Sequence, residues 1–152
     1  MLINLLLGCF TIIISMGIQV LVVVYMLRYL RSVMNDDSRK TTDFGFDTFA
    51  ISMVLLILFG GHLAQIAIWA ALFMFLGEFN DFLTAFYHST VNFASLGYGD
   101  IVMSEKWRLL GALEASNGVL MFGLSAGTLF SVMQYLFKRH QLDNVAPKDE
   151  SD

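Results

Sequence analysis

The chain has 152 residues, 57% of them hydrophobic, with a mean hydropathy of +0.66. Soluble domains hold about 45–50% apolar residues, so the composition excludes an ordinary soluble protein and predicts an integral membrane protein. The net charge of −4 argues against nucleic acid as a partner, because no basic cluster is available to neutralise phosphates. The single cysteine, Cys9, excludes an intrachain disulfide and argues against a cysteine metal site.

The first predicted element, within residues 1–30, is a membrane-spanning helix. Residues 2–27 carry no charge, and in helical form they are roughly 39 Å long, enough to cross a hydrocarbon core of about 30 Å. A cleaved secretory signal or a lipoprotein box ending at Cys9 is the alternative, but no basic residue precedes the apolar run. Four polar residues fall close to one helical face and suit packing against other helices: Asn4, Thr11, Ser15 and Gln19.

Basic residues predict the orientation of the chain. The end of the first span, the loop predicted at residues 31–48 and the tail at residues 138–152 together hold seven of the nine lysines and arginines, and Lys and Arg mark the cytoplasmic side. Three spans with the N-terminus outside and the C-terminus in the cytoplasm satisfy this distribution. The residues concerned are Arg28, Arg31, Arg39, Lys40, Lys138, Arg139 and Lys148.

The second predicted span covers residues 49–76. His62, Gln65 and Trp69 lie three and four residues apart, which places them on one helical face near the middle of the membrane. A histidine inside a membrane is by default a functional hypothesis, as a proton sensor or a ligand. The alternative is a neutral His62 that hydrogen-bonds a neighbouring helix, with Gln65 or Glu114 as its partner.

A short helix is predicted at residues 81–93, capped by Asn80 or Asp81. Its length of roughly 18–20 Å takes it only partway through a bilayer, so we expect a re-entrant segment. Non-helical backbone after such a helix is tolerated at membrane depth only where it is buried in protein or lines a water-filled path. This arrangement predicts a pore.

Residues 95–100 read Ser-Leu-Gly-Tyr-Gly-Asp, with glycine at alternate positions around an aromatic residue. Glycine weakens a helix or strand by roughly 0.5–1 kcal/mol, and it alone freely enters the left-handed dihedral region. The pattern therefore indicates that the functional groups of this stretch are backbone atoms and not side chains. A ring of backbone carbonyls can replace the water shell of a dehydrated cation.

This stretch resembles the selectivity filter of the potassium channel family, Thr-Val-Gly-Tyr-Gly-Asp, with serine and leucine at the first two positions. The resemblance implies potassium sites at Ser95, Leu96, Gly97 and Tyr98, and a filter that ends at Gly99. It places Asp100 at the pore mouth, as an anchor to the pore helix or an attractor of cations. Because serine lacks the methyl group that fixes the threonine rotamer, we expect somewhat weaker selectivity or conductance.

The pore helix departs from that of the simplest bacterial members of the family. Tyr87 and His88 stand where those channels have a tryptophan pair, and Val91 stands near their buried glutamate. We expect the filter to be supported differently as a result. His88 is interpreted as a hydrogen-bonding residue of the pore helix, with a pH sensor as the alternative.

The third predicted span covers residues 109–137. Gly118 and the Phe-Gly-Leu run around Gly123 are similar to the inner helix of small bacterial potassium channels, which makes both glycines candidates for a gating hinge; tight helix packing is the alternative. Glu114 is the only acidic residue in a span, and Asn117 follows three residues later. A carboxylate facing lipid costs several kcal/mol, so Glu114 must face protein or water, where it braces the filter or titrates as part of a gate.

Together these features predict an all-α integral membrane protein with three transmembrane helices. A re-entrant pore helix and filter loop lie between the second and third helices, and residues 49–137 form the pore domain of a homotetramer. We expect a potassium-selective channel of the bacterial inner membrane that contacts lipid, uses no cofactor and is not an enzyme. The alternatives are a weakly selective or non-conducting relative, a helper subunit of another transporter, and a haem protein bound through His62, His88 and His140.

Overall fold

The computed structural model of the chain describes residues 1–34 and 44–145. Over these residues the regular secondary structure is α-helix, with no strand, and residues 76–81 and 94–107 are non-helical. Three helices are long and apolar enough to cross a membrane, over Leu2–Ser32, Asp47–Phe75 and Arg108–Lys138. The predicted all-α class with three candidate spans is confirmed. The helices are α1 (Leu2–Met34), α2 (Phe44–Phe75), α3 (Phe82–Phe93) and α4 (Arg108–Val145).

The spanning helices extend beyond the apolar runs that predicted them. α1 continues to Met34, α2 begins at Phe44 within the predicted loop, and α4 continues to Val145 instead of ending near residue 137. Hydropathy marks the part of a helix that suits the membrane. Beyond it, Arg28 and Arg31 in α1 and Lys138 and Gln141 in α4 are good helix formers that continue those two helices. Outside the described part of the chain lie Arg39, Lys40 and Lys148, and the side chains of Arg139 and His140 are likewise not described.

α3 begins where the sequence predicted a cap, and the cap is Asp81. Its side chain accepts a hydrogen bond from the Thr84 backbone N–H at 2.8 Å and a second from the Thr84 hydroxyl at 2.9 Å. These bonds satisfy a donor that the first turn of a helix otherwise leaves free. The backbone hydrogen bond lowers the pKa of Asp81. The short helix therefore starts at a defined residue, directly after the turn that ends α2.

α3 packs against α2 and α4, and α1 packs against the same two helices. Inside a membrane such contacts are stabilised by van der Waals packing and interhelical hydrogen bonds, because lipid tails are as apolar as the side chains. Two apolar clusters result. The first joins α1, α2 and α4 through Met26, Leu30, Ala50, Val54, Leu58, Val132 and Leu136. The second surrounds the end of α3 with Ile66, Trp69, Phe73, Phe93, Trp107, Leu110 and Met121.

The polar row of α1 is buried, as its spacing predicted; Asn4, Thr11, Ser15 and Gln19 are at most 6% exposed. Gln19 connects three helices. Its Nε2 donates to Ser125 Oγ of α4 at 2.9 Å, and its Oε1 accepts from Gln65 Nε2 of α2 at 2.7 Å. α1 is therefore joined by side-chain hydrogen bonds to both helices it contacts.

His62 belongs to the same polar group. Its Nε2 lies 3.0 Å from Ser125 Oγ, and because Ser125 accepts from Gln19, its own hydroxyl proton is available to His62. His62 therefore does bond a neighbouring helix, but the predicted partners, Gln65 and Glu114, were wrong. Ser125 lies next to His62 because of the position of α4 along its axis and its rotation about that axis. Local sequence patterns predict neither the position nor the rotation.

α1 approaches α4 closely at the end of the bundle that holds residues 94–107. A Cβ at Gly8 would overlap the Leu113 side chain. Farther along, Gln19 reaches Ser125, and Met26 and Leu30 share a cluster with Val132. α1 consequently contacts α4 on both sides of Gly118.

Candidate functional site

The segment after α3 is tied to the last turn of that helix. Ser95 N–H donates to the Asn92 carbonyl at 2.8 Å, and Leu96 N–H donates to the Val91 carbonyl at 2.9 Å. These bonds satisfy carbonyls that the end of a helix leaves without an intrahelical partner. The path of the 95–99 segment is thus set by the position of α3.

The 95–99 segment has an alternating backbone. Ser95, Gly97 and Gly99 have φ values of 56°, 61° and 74°, whereas Leu96 and Tyr98 between them do not have positive φ. A Cβ added at Gly97 or Gly99 would meet nothing within 4 Å. These positions therefore favour glycine because of their positive φ and not because a side chain would lack room. The sequence predicted left-handed dihedrals at the two glycines, and Ser95 is a third such position that the glycine pattern did not reveal.

Where positive and negative φ alternate, successive carbonyl oxygens can turn toward one side of the segment, with the N–H groups on the other. One edge of this segment can therefore present a row of carbonyl oxygens. The side chains of the segment, from Ser95 to Asp100, are all exposed in the single chain. Beside it lies an open cavity of about 520 Å³, lined by residues that include Gly97, Gly99, His88 and Arg108.

The far end of the segment is anchored on α3. Tyr87 Oη donates to Asp100 Oδ2 at 2.7 Å, and this hydrogen bond lowers the pKa of Asp100. His88 Nδ1 lies 3.1 Å from the Ile101 carbonyl oxygen. Of the two roles considered for Asp100, the anchor to α3 is present in the structure, and the carboxylate remains exposed. His88 is hydrogen-bonded, in agreement with its first interpretation.

We expect Tyr87→Phe to make the Asp100 anchor more sensitive to acid. A carboxyl group whose pKa is lowered by folding contributes stability above its unfolded pKa, and this stability is lost as pH falls through the folded pKa. Removing the Tyr87 hydroxyl lets the pKa of Asp100 rise, so the loss moves to higher pH. Thermal unfolding of the purified protein, followed over a pH series, measures the shift.

The matched control for that experiment is Tyr25→Phe, since Tyr25 lies on α1 and is 69% exposed. It removes the same hydroxyl group at a site away from the 95–99 segment. Superimposable pH profiles for Tyr87→Phe and the unmodified protein would show that the hydrogen bond to Asp100 does not control the segment.

Glu114 faces protein, as its place in a span predicted. It is fully buried, and its Oε1 is hydrogen-bonded to Ser89 Oγ of α3. Ser89 Oγ also lies 3.1 Å from the Ile66 carbonyl oxygen of α2. Asn92 is a second polar neighbour of the Glu114 carboxyl group. Asn117, three residues after Glu114, is fully buried as well. Glu114 therefore contacts α3 and does not touch the 95–99 segment directly.

The two hinge candidates have different surroundings. A Cβ at Gly118 would overlap the Phe93 carbonyl oxygen and lie 2.8 Å from its carbon, whereas a Cβ at Gly123 would meet nothing within 4 Å. Gly118 thus allows α4 to approach the end of α3, which fits the packing alternative. His62 lies apart from the 95–99 segment, with its ring 4.9 Å from Phe122 and 5.9 Å from Phe93 between centroids.

Sequence reasoning missed three polar residues that position these elements. Ser89 joins α3 to α2 and α4, and Ser125 joins α4 to α1 and α2. Glu78 accepts from the backbone N–H and the hydroxyl of Ser104 at 2.7 and 2.6 Å, which ties the segment before α4 to the turn before α3. The two serines could have been found from the sequence, because a serine inside an apolar membrane helix commonly forms a hydrogen bond to another helix.

Comparison with known proteins places this geometry in a family. No curated protein and no solved structure gives a significant match to the chain. The model of one protein family, described as ion channel, matches residues 52–135. That match covers most of α2 and α4, all of α3 and the 95–99 segment, and more than half of the chain. The chain therefore belongs to this ion channel family, the two-transmembrane pore-domain family of potassium channels.

Proposed function

We propose that the protein conducts potassium passively and selectively through backbone carbonyls of the 95–99 segment. Ser95, Leu96, Gly97 and Tyr98 supply the ion sites, Gly99 completes the filter, and Asp100 stands at its mouth. The observation that carries this proposal is the alternation of positive φ at residues 95, 97 and 99. Such backbone can align carbonyl oxygens toward one axis, where they replace the hydration shell of a cation.

A homotetramer follows from the same chemistry, since one strand cannot surround an ion. Leu96 and Tyr98 are 53% and 66% exposed in the single chain, and Val119 and Leu120 of α4 are similarly open. Four copies around one axis would cover such surfaces and bring four 95–99 segments together. In this assembly α3 is the re-entrant pore helix, α2 the outer helix and α4 the inner helix.

The membrane arrangement that we propose has the N-terminus outside and the C-terminus in the cytoplasm of a bacterial inner membrane. The basic residues of α1 and α4 support it, because Arg28 and Arg31 follow the first apolar run and Lys138 ends the third. The filter segment then opens on the outer face, where Asp100 is exposed to cations that approach from outside.

The test is cation flux through purified protein in liposomes, with potassium and sodium gradients compared and barium added as a pore blocker. Barium-sensitive flux that strongly favours potassium is the expected result. Equal flux of both cations would favour the weakly selective alternative, in which the Ser95 hydroxyl holds the innermost ion loosely. No flux over a range of pH and voltage would overturn the channel proposal.

Two further measurements address the remaining alternatives. Purification together with an unrelated membrane protein in fixed ratio would favour a helper subunit. A Soret band in the purified protein would favour the haem alternative, although His62 and His88 lie on different helices and are each hydrogen-bonded. Potassium flux without either finding supports the channel.

A further inference from the structure

The hydrogen bonds of Ser89 indicate whether the Glu114 side chain is protonated. Ser89 Oγ lies within bonding distance of two oxygens, the Ile66 carbonyl and Glu114 Oε1, and Ser89 and Glu114 are both fully buried. A serine hydroxyl carries one hydrogen, and a carbonyl oxygen only accepts. One hydrogen can serve both oxygens only in a shared, three-centre bond, whereas a second hydrogen gives each oxygen–oxygen contact a full hydrogen bond. Glu114 is the group that can provide it, as a carboxylic acid that donates to Ser89 while Ser89 donates to Ile66.

The surroundings of Glu114 agree with a neutral group. Among the described residues its polar neighbours are Ser89 and Asn92, and no ion pair to it is found. A carboxylate inside a membrane without a cation costs several kcal/mol, whereas the protonated form avoids most of that cost. The nearest basic residue along α4 is Arg108, more than a helical turn away, and Arg108 lines the open cavity beside the 95–99 segment.

α3, which Glu114 contacts through Ser89, is hydrogen-bonded to the start of the 95–99 segment and to Ile101 just after its end. Val91 and Asn92, two and three residues after Ser89, accept from the first two backbone N–H groups of the segment region. Asn92 Nδ2 also lies 2.9 Å from His88 Nε2. Since the Ile101 carbonyl can only accept, His88 carries its hydrogen on Nδ1, and Nε2 accepts from Asn92. These hydrogen bonds connect the part of α3 that holds Ser89 to Ser95 and to Ile101.

We propose that Glu114 is a positioning residue that acts as a neutral carboxylic acid. Its proton bonds Ser89, which fixes α3 between α2 and α4 and thereby holds the 95–99 segment in its alternating conformation. This proposal rests on the proposed function in so far as the segment is an ion filter. The protonation state and the contact to Ser89 are statements about the chain itself and can be tested separately.

The first test is infrared spectroscopy of purified protein at neutral pH. A protonated buried carboxyl group gives a carbonyl band distinct from that of a carboxylate. We expect this band in the unmodified protein and its loss in Glu114→Gln, while Ser116→Ala keeps it, since Ser116 is an exposed α4 residue bonded only to the Ala112 carbonyl. Absence of the band from the unmodified protein would overturn the proposal whether or not the protein conducts.

The second test uses the donor chemistry. Glu114→Gln keeps an N–H donor for Ser89, so its potassium-to-sodium flux ratio should stay close to that of the unmodified protein. Glu114→Leu keeps the approximate size but leaves Ser89 without this hydrogen-bond partner, so α3 holds the 95–99 segment less firmly and the ratio should fall toward one. Equal damage from Gln and Leu would overturn the neutral-donor role.

A third variant guards against failure of Glu114→Leu to fold. Ser89→Ala removes the other partner and should lower the flux ratio in the same direction while Glu114→Gln does not. If the unmodified protein transports no potassium, the proposed function fails, and the positioning role is then tested by thermal unfolding instead of flux. Glu114→Gln should unfold at the same temperature as the unmodified protein, and Ser89→Ala should unfold at a lower temperature. The opposite order would overturn the positioning role.

Discussion

Gly118→Ala is expected to strongly destabilise the protein and abolish ion flux, whereas Gly123→Ala leaves both close to their original values. The added methyl group of Gly118→Ala would overlap the carbonyl oxygen of Phe93, and the carbonyl carbon lies 2.8 Å away. Both atoms belong to backbone, so no side-chain rotation relieves the overlap, and α3 and α4 must move apart. Overpacking of this kind costs about 1–3 kcal/mol and occasionally more.

Thermal unfolding in detergent and potassium flux in liposomes, measured on the same preparation, test this expectation. Gly123→Ala is the matched control, because it makes the same change in the same helix where a Cβ meets nothing within 4 Å. A Gly118→Ala protein that keeps its unfolding temperature and loses only flux would contradict the packing role. That result would favour Gly118 as a hinge at which α4 bends during gating.

Gly97→Ala is expected to remove potassium selectivity while the helices remain folded. An L-residue in the left-handed region costs roughly 1–2 kcal/mol, and Gly97 has a φ of 61°. The backbone can relieve this cost by rotating the peptide units on either side, which turns their carbonyls away from the common axis. The potassium-to-sodium flux ratio should then approach one, with circular dichroism unchanged.

Gly77→Ala supplies the control for conformational strain alone. Gly77 has a φ of 76° and open space around its missing Cβ, but it lies in the turn between α2 and α3. The two variants should therefore lose similar stability, and only Gly97→Ala should lose selectivity. If Gly97→Ala still favours potassium as the unmodified protein does, the carbonyl sites proposed for the 95–99 segment are wrong.

Local patterns predicted the parts of this fold that depend on one element at a time. Hydropathy located the three spans, and residue type limited the cap of α3 to Asn80 or Asp81, of which the structure has Asp81. The positive φ of Gly97 and Gly99 followed from residue type. The buried row that includes Gln19 followed from helical spacing. Each of these properties is encoded within a few neighbouring residues.

Pairings between helices were not predictable in the same way. His62 bonds Ser125, and Glu114 bonds Ser89, because of how far each helix slides and rotates against its neighbour. A shift of one residue turns a helical side chain by about 100°, since 3.6 residues complete a turn. Composition alone cannot select among the polar residues that become partners. The positive φ of Ser95 was missed for a related reason, because serine gives no sign of an unusual dihedral.

The contact between α1 and α4 also makes a polar group of α1 depend on a distant part of the sequence. α1 precedes α2 and α4 in the sequence, and by itself it is long and apolar enough to cross a bilayer. The Gln19 side chain is hydrogen-bonded to Gln65 of α2 and to Ser125 of α4, and Ser125 lies 106 residues after Gln19 in the sequence. The hydrogen-bonded group around Gln19 is therefore complete only once α4 is in place. A chain that lacks α4 leaves Gln19 Nε2 without its Ser125 partner, and an unsatisfied amide donor in the hydrocarbon region costs several kcal/mol.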